Sequence, residues 1–443
     1  MANYPLKRQR LRIPMSAPSA TPSPVWHPFT QHALMGKVPV IARAQGAWLE
    51  TQDGRRILDA ISSWWVTTHG HGHPRIVAAI REQAEQLDQV IFAGLTHDAA
   101  EAVARGLIRL APPGLAHVFF SDSGSTAVEV ALKMALGFWR HRGEKRTRIL
   151  ALEHAYHGDT VGAMSAGARG VFNTPYEPLL FDVGRVPFPA AGQEQSTLDA
   201  LEAACRGGDV AALIVEPLIL GAGGMLMYGA TTLAEMARIC ARHRVLLIAD
   251  EVMTGWGRTG TLFACEQAGI APDIMCVAKG ITGGSLPLAA TLATAEIFGA
   301  HYSTDRTRTF FHSSSYTANP IACAAARANI EIWETEPVIE RVRALEETQH
   351  RCLARFAEDA RFSGVRQLGT ITALNVAVRD EGYLASVGPQ LYAAFMARDV
   401  LLRPLGNTIY VMPPYCIEPG ELEAVYRAIS EVIDTALQVG SDP

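Results

Sequence analysis

Lys279 and Asp250 are the residues of this 443-residue chain best placed to do chemistry. Asp250 follows the apolar run VLLIA, and Lys279 follows IMCVA. Short runs of this kind read as buried strands. An amine and a carboxylate at the ends of neighbouring strands suit pyridoxal phosphate (PLP). The lysine forms a Schiff base with the aldehyde, and the acid keeps the pyridinium proton that makes the ring an electron sink. Lys279 leads into GITGGSLPLAA, whose glycines let other backbone come close. Desolvation there disfavours the ammonium form, which fits a lysine that acts as nucleophile and then as general base. Either residue alone has a plainer reading, as a solvated strand end or a helix cap. A buried Asp250 needs a cationic or strongly hydrogen-bonding partner, and a pyridinium nitrogen supplies one. Glu251 could take its place, but strand alternation turns the two side chains in opposite directions.

Other polar groups follow other apolar runs. FFSDSGSTAVEVALKMALGFW reads as strand, Gly/Ser turn and helix, with Thr126 and Glu129 fitting a capping box. The amides of Gly124, Ser125 and Thr126 would then be free to take a phosphate, helped by the helix dipole. An ordinary capped helix is the alternative. Tyr156 and His157, in EHAYHGDT, follow another run, where an aromatic ring either stacks on a cofactor face or packs in the core. Glu216 closes the run Ala211–Val215. Trp64 and Trp65 are adjacent and should have different environments, one of them walling an apolar pocket. Arg403 stands among apolar residues in LLRPLGNTIYVMPPY, either paired structurally or held for a substrate carboxylate.

These residues need a scaffold. Helical periodicity covers roughly 75–88, 97–111, 126–141, 196–206 and 231–243. The apolar runs His117–Phe120, Arg148–Leu152, Ala211–Val215, Val245–Ile248, Ile274–Val277 and Ala289–Ala293 lie between or after them. Such alternation predicts an α/β fold with a mainly parallel sheet covered on both faces, and a site beyond the strands' carboxyl ends. GAWLETQDGRRILD reads as a hairpin turning at Asp53-Gly54. A long helix near 318–358 should lead to a smaller αβ lobe that ends in a helix at about 420–438. The expected division is a flexible tail over 1–25, a segment over 26–75 packing with the small domain, a large domain over 76–340 and a small one over 341–443. A formal charge of −5 speaks against nucleic-acid partners, and no apolar run approaches the ~20 residues of a membrane span. Seven scattered cysteines without a CxxC pair suggest reduced thiols in a cytoplasmic enzyme. The basic start lacks the apolar stretch of a secretory signal.

From about Trp26 onward the chain resembles the class III, or ω-, aminotransferases of fold type I, through LLIADEVMTGWGRTG and CVAKGITGGSLPLAA. WHPFTQ (26–31), SSWW (62–65), SDSGS (121–125), AYHGDT (155–160) and RPLGNTIY (403–410) are most similar to the branch that converts 8-amino-7-oxononanoate to 7,8-diaminononanoate in biotin synthesis. The resemblance implies a fold-type-I, seven-stranded-type sheet and PLP bound to Lys279 as an internal aldimine. It implies Asp250 on the pyridine nitrogen, Gly124 and Ser125 on the phosphate, and Tyr156, His157 and Glu216 around the ring. Trp64, Trp65, Ser313 and Arg403 would meet the keto acid, Arg403 through its carboxylate. A homodimer with shared sites is implied too, residues 313–315 of one subunit completing the other's site. Two departures stand out. Phe29 replaces a common tyrosine whose hydroxyl assists S-adenosylmethionine, which leaves adenosylmethionine and lysine both open as amino donor. Ser313, Ser314 and Ser315 replace the usual Gly-Pro-Thr, and Ser314 and Ser315 can still donate to a phosphate. Another ω-aminotransferase (ornithine, 4-aminobutyrate or diamine type), an aminomutase of the glutamate-semialdehyde type and a non-enzymatic relative are the competing readings. An intact Lys279/Asp250 pair argues against the last.

Overall fold

The computed structural model describes residues 23–438, apart from 35 and 37. The tail expected over 1–25 therefore lies outside the described residues, except for 23–25. Seven strands form the main sheet, in the order Leu115–Ser121, Ala289–Thr294, Ile274–Val277, Leu246–Asp250, Val210–Val215, Arg148–Leu152, Gly184–Val186. Ala289–Thr294 runs antiparallel to both neighbours, and the other pairings are parallel. The remaining six strands thus share one direction, and their carboxyl ends meet at one edge.

The central strands are apolar on both faces because both faces are covered. Every residue of Val210–Val215, Leu246–Asp250 and Ile274–Val277 is buried. On one face Ile214, Ile248 and Cys276 pack under Ala127, Ala131, Ala135 and Phe138 of the helix Gly124–His141. On the other, Ala249, Met275 and Val277 meet Val103 and Leu107 of Asp98–Leu110 and Ala322 and Ala326 of Pro320–Thr335.

The hairpin forms as its sequence predicts. Trp48–Thr51 pairs antiparallel with Arg56–Asp59, and Gly54 at the turn has φ +84°. Arg56–Asp59 also pairs with Val400–Leu401, so this early segment joins the C-terminal lobe. That lobe holds the antiparallel strands Phe362–Leu368, Ile371–Val376 and Thr408–Val411 and the helices Val338–Leu353, Val387–Met396 and Pro419–Gln438. One expectation is corrected here. The long helix over 318–358 is two, Pro320–Thr335 and Val338–Leu353. Pro337 forces Glu336 into extended backbone (φ −114°, ψ 155°) and ends the first helix.

Candidate active site

Lys279, Asp250, Glu216, Tyr156, His157, Gly124, Ser125 and Trp65 line one cavity at the carboxyl edge of the sheet. Five separate strands of the main sheet deliver all but Trp65, which follows Arg56–Asp59. Asp250 and Glu251 point apart, as the strand period requires. Asp250 faces the cavity, whereas Glu251 accepts from the Cys265 amide at 2.8 Å and from the Thr254 hydroxyl inside the core.

Lys279 is half-buried, and desolvation holds its amine below the usual lysine range, against the opposing pull of Asp250 and Glu216. Its Nζ stands 5.2 Å from the Trp65 ring centroid. Asp250 is gripped from behind: His157 Nδ1 lies 2.7 Å from Oδ2, and the Val252 amide donates to Oδ1 at 3.2 Å. His157 thus lines the cavity and also braces Asp250, and its Nε2 has no partner among the described residues. Glu216 accepts from the amides of Tyr156 (3.0 Å) and Gly221 (2.9 Å), and burial pushes its carboxyl up to about 7. Burial, with Asp159 adding to it, also raises the Tyr156 phenol.

The start of the helix Gly124–His141 is shaped for an anion. Its cap differs from the expectation: Ser123 is the N-cap and Thr126 completes the box, the Thr126 amide donating to Ser123 Oγ at 3.2 Å. Thr126 therefore keeps no free amide, and Gly124 and Ser125 are left as the open donors. Glu129 is not part of the cap. It accepts from Thr160 Oγ1 and the Gly162 amide, both at 2.6 Å, and so clamps the loop that carries Tyr156 and His157. The cradle is tight: a Cβ on Gly158 would lie 2.0 Å from Ser125 Oγ, and one on Gly124 2.6 Å from Val252 Cγ1.

Trp64 and Trp65 do part company. Trp65 is 5% exposed and donates its indole N–H to the Tyr410 hydroxyl at 3.0 Å. Trp64 is 40% exposed and lies outside the inner cavity, its ring 5.7 Å from Phe29. Arg403 donates to the Phe29 carbonyl at 3.0 Å and sits 5.3 Å from the Trp64 centroid. Phe29, Trp64 and Arg403 therefore form one group, apart from the residues lining the inner cavity, and no carboxylate of the described residues pairs with that guanidinium. Ser313, Ser314 and Ser315 do not line the cavity of their own chain. The Ser314 hydroxyl bonds the Asp122 carboxylate instead.

Two residues escaped sequence reasoning. Asp59 accepts from Ser63 N at 2.8 Å, Ser63 Oγ at 3.0 Å and His71 Nε2 at 2.9 Å. It thereby holds the SSWW turn, where Ser62, Ser63 and Trp65 all have positive φ. Arg258, fully buried, donates to the carbonyls of Pro413, Trp65 and Thr67. The GWGRTG stretch was the available signal for Arg258; nothing near Asp59 marked it.

A sheet edge that joins a half-buried lysine, a braced aspartate and an open helix start is the arrangement of a PLP-dependent transferase, and the family comparison agrees. The aminotransferase class-III model matches residues 32–433, and the chain belongs to that family. Among curated relatives it is 47% identical to the adenosylmethionine-8-amino-7-oxononanoate aminotransferase of Synechococcus elongatus, over 93% of this chain and 98% of that one. It is 39% identical to the Mycobacterium leprae protein of the same name, over 92% and 94%. The crystal structure of that enzyme from Methanocaldococcus jannaschii superposes with a TM-score of 0.89 at 33% identity, over 93% of this chain and 97% of the other. A PLP-bound amine transaminase from an uncultivated Pseudomonas species gives 0.87 at 31%, over 94% and 100%.

Proposed function

We propose that this chain transaminates 8-amino-7-oxononanoate to 7,8-diaminononanoate, the biotin-synthesis step for which its curated relatives are named, with PLP at the Lys279–Asp250 site. One observation carries the reading: a half-buried lysine with a desolvated amine shares a cavity with a braced carboxylate and an open helix start. The residues fit the cofactor. Gly124 and Ser125 offer amides to a phosphate, and the Gly124–Val252 and Gly158–Ser125 contacts leave no room for a side chain there. When bound, PLP supplies an aldehyde carbon and an electron-withdrawing pyridinium ring.

The chain's residues do the rest. Asp250, held by His157, would keep the ring nitrogen protonated. Tyr156 covers the ring, and Glu216 fixes the loop bearing Tyr156. Lys279 Nζ, its proton weakly held in a desolvated pocket, would take the proton from the amino donor's amine-bearing carbon and act as the general acid–base group there. Trp65 and Trp64 wall the substrate path, and Arg403, paired with no carboxylate of the described residues, takes the keto acid's carboxylate. A partner subunit would bring its own 313–315 segment to the site, Ser313 beside the substrate and Ser314 and Ser315 beside the phosphate. The same reading takes 76–340 as the PLP-binding body and 341–443 as the small domain. It assigns a cytoplasmic setting, in keeping with seven unpaired cysteines.

The relatives' name specifies adenosylmethionine as donor, and Phe29 keeps lysine in contention. PLP-loaded protein given the keto acid with either donor is expected to yield 7,8-diaminononanoate by mass spectrometry. Turnover of ornithine or 4-aminobutyrate with none of that keto acid would assign the chain to another branch of the class. An aminomutase would pass no amino group between two substrates.

A further inference from the structure

Lys279 has a φ of +49°, in the left-handed region where a side chain crowds its own backbone. Such a conformation persists only where the surroundings impose it. Here they act on the next two residues, in the short turn Lys279–Thr282. Gly280 lies against Trp256, so close that a Cβ would stand 2.7 Å from that residue's Cβ. Asn329, fully buried on the helix Pro320–Thr335, donates its amide group to the carbonyls of Gly280 (3.0 Å) and Ile281 (3.1 Å). Its NH2 is committed to these carbonyls, so its oxygen must accept, and His69 Nε2 stands 2.8 Å from it. His69 therefore carries its proton on Nε2. Its ring is buried, 5.7 Å from Trp333 and 5.8 Å from His73. Neither His69 nor Asn329 lines the cavity.

We propose that His69 and Asn329 are positioning residues, a strut that holds the Lys279 turn so that Nζ meets the cofactor aldehyde in reacting geometry. The proposal rests on the reading of Lys279 as the cofactor-binding amine. The step it serves is a condensation: Nζ and the aldehyde carbon form a C=N bond, the amine gives up two hydrogens, and the carbonyl oxygen leaves with them as water. The phosphate-binding helix start has no bond to the strut, so binding and bond formation can be separated.

The experiment compares apo forms of the wild type, Asn329→Leu, His69→Phe and His69→Gln. Growth of visible absorbance and borohydride trapping report the covalent step with PLP. Pyridoxamine phosphate, which has no aldehyde, reports noncovalent binding alone. Covalent attachment is expected to slow by about tenfold or more in Asn329→Leu and His69→Phe, with pyridoxamine phosphate affinity unchanged. His69→Gln, which can still donate to Asn329, should stay near the wild-type rate. Equal attachment rates throughout, or parallel loss of both ligands, would overturn the proposal and leave the pair as core packing. Should Asn329→Leu not fold, the His69 variants decide alone. A wild type that traps no PLP would instead overturn the reading of Lys279, and the strut with it.

Discussion

Arg403 faces no carboxylate of the described residues, yet it is held in place by the Phe29 carbonyl and the Trp64 ring. A guanidinium kept in position without a counter-charge is suited to an incoming carboxylate. Arg403→Ala is expected to raise the KM for the keto acid about tenfold or more, roughly 1.4 kcal/mol, with PLP uptake unchanged. An unmoved KM in steady-state assays would remove Arg403 from the substrate path. At this scale the sequence was informative where chemistry and strand ends coincide, as at Lys279, Asp250 and Glu216. It was silent where a residue acts through tertiary contact. Asp59 resembles any strand-end acid until the SSWW turn folds over it. His157 read as a cofactor neighbour, and only the fold shows it pressed against Asp250.

The element carrying Thr67, Thr68 and His69 brings a buried histidine against the helix Pro320–Thr335. Burial lowers the His69 pKa to about 4 from an ordinary 6.5; the Asn329 bond opposes this, and His73, Glu336 and Arg341 supply smaller effects. Below 6.5 the unfolded chain therefore takes up a proton that the folded chain refuses, so stability falls as pH drops from 6.5 to about 4 and levels off beyond. At ~1.4 kcal/mol per unit, the loss across that window is about 3 kcal/mol. Urea unfolding of the wild type and His69→Gln at several pH values checks this, and the variant should lose visibly less stability on acidification. Equal losses would mean that His69 is not the group responsible. The strands and most helices were legible because their apolar patterns reflect a sheet covered on both faces. The break at Pro337 carried its own signal in the proline, outweighed by the apolar periodicity on either side. Thr126 and Glu129 match the capping pattern as Ser123 does, and only the start of the helix Val161–Ala166 shows where Glu129 goes.

Across the whole molecule, an apolar surface surrounds the serine segment. Ile91, Leu95, Phe311 and Tyr316 are all exposed. The Gln89 side chain bonds the Ser315 carbonyl at 2.7 Å, and that of Asn319 bonds the Asp88 carbonyl at 3.0 Å, so these stretches lie side by side. Patches of this kind mark binding surfaces, subunit contacts among them. If the segment serves the neighbouring site, two inactive variants should complement each other. Lys279→Ala and Ser315→Asp, mixed under conditions that exchange subunits, are expected to regain activity through one intact site per mixed dimer. Mixed dimers without recovered activity would remove Ser315 from the partner's site. Nothing in a single chain's periodicity could reveal such sharing, and for this the sequence offered only its resemblance to a family.

The account stands on Lys279 being the amine that meets the cofactor. The most direct measurement is borohydride reduction of the PLP-loaded protein, followed by proteolysis and mass spectrometry of the labelled peptide. The account predicts a pyridoxyl group on Lys279 and no stable label in Lys279→Ala. A label on another lysine, or none on the wild type, would contradict it.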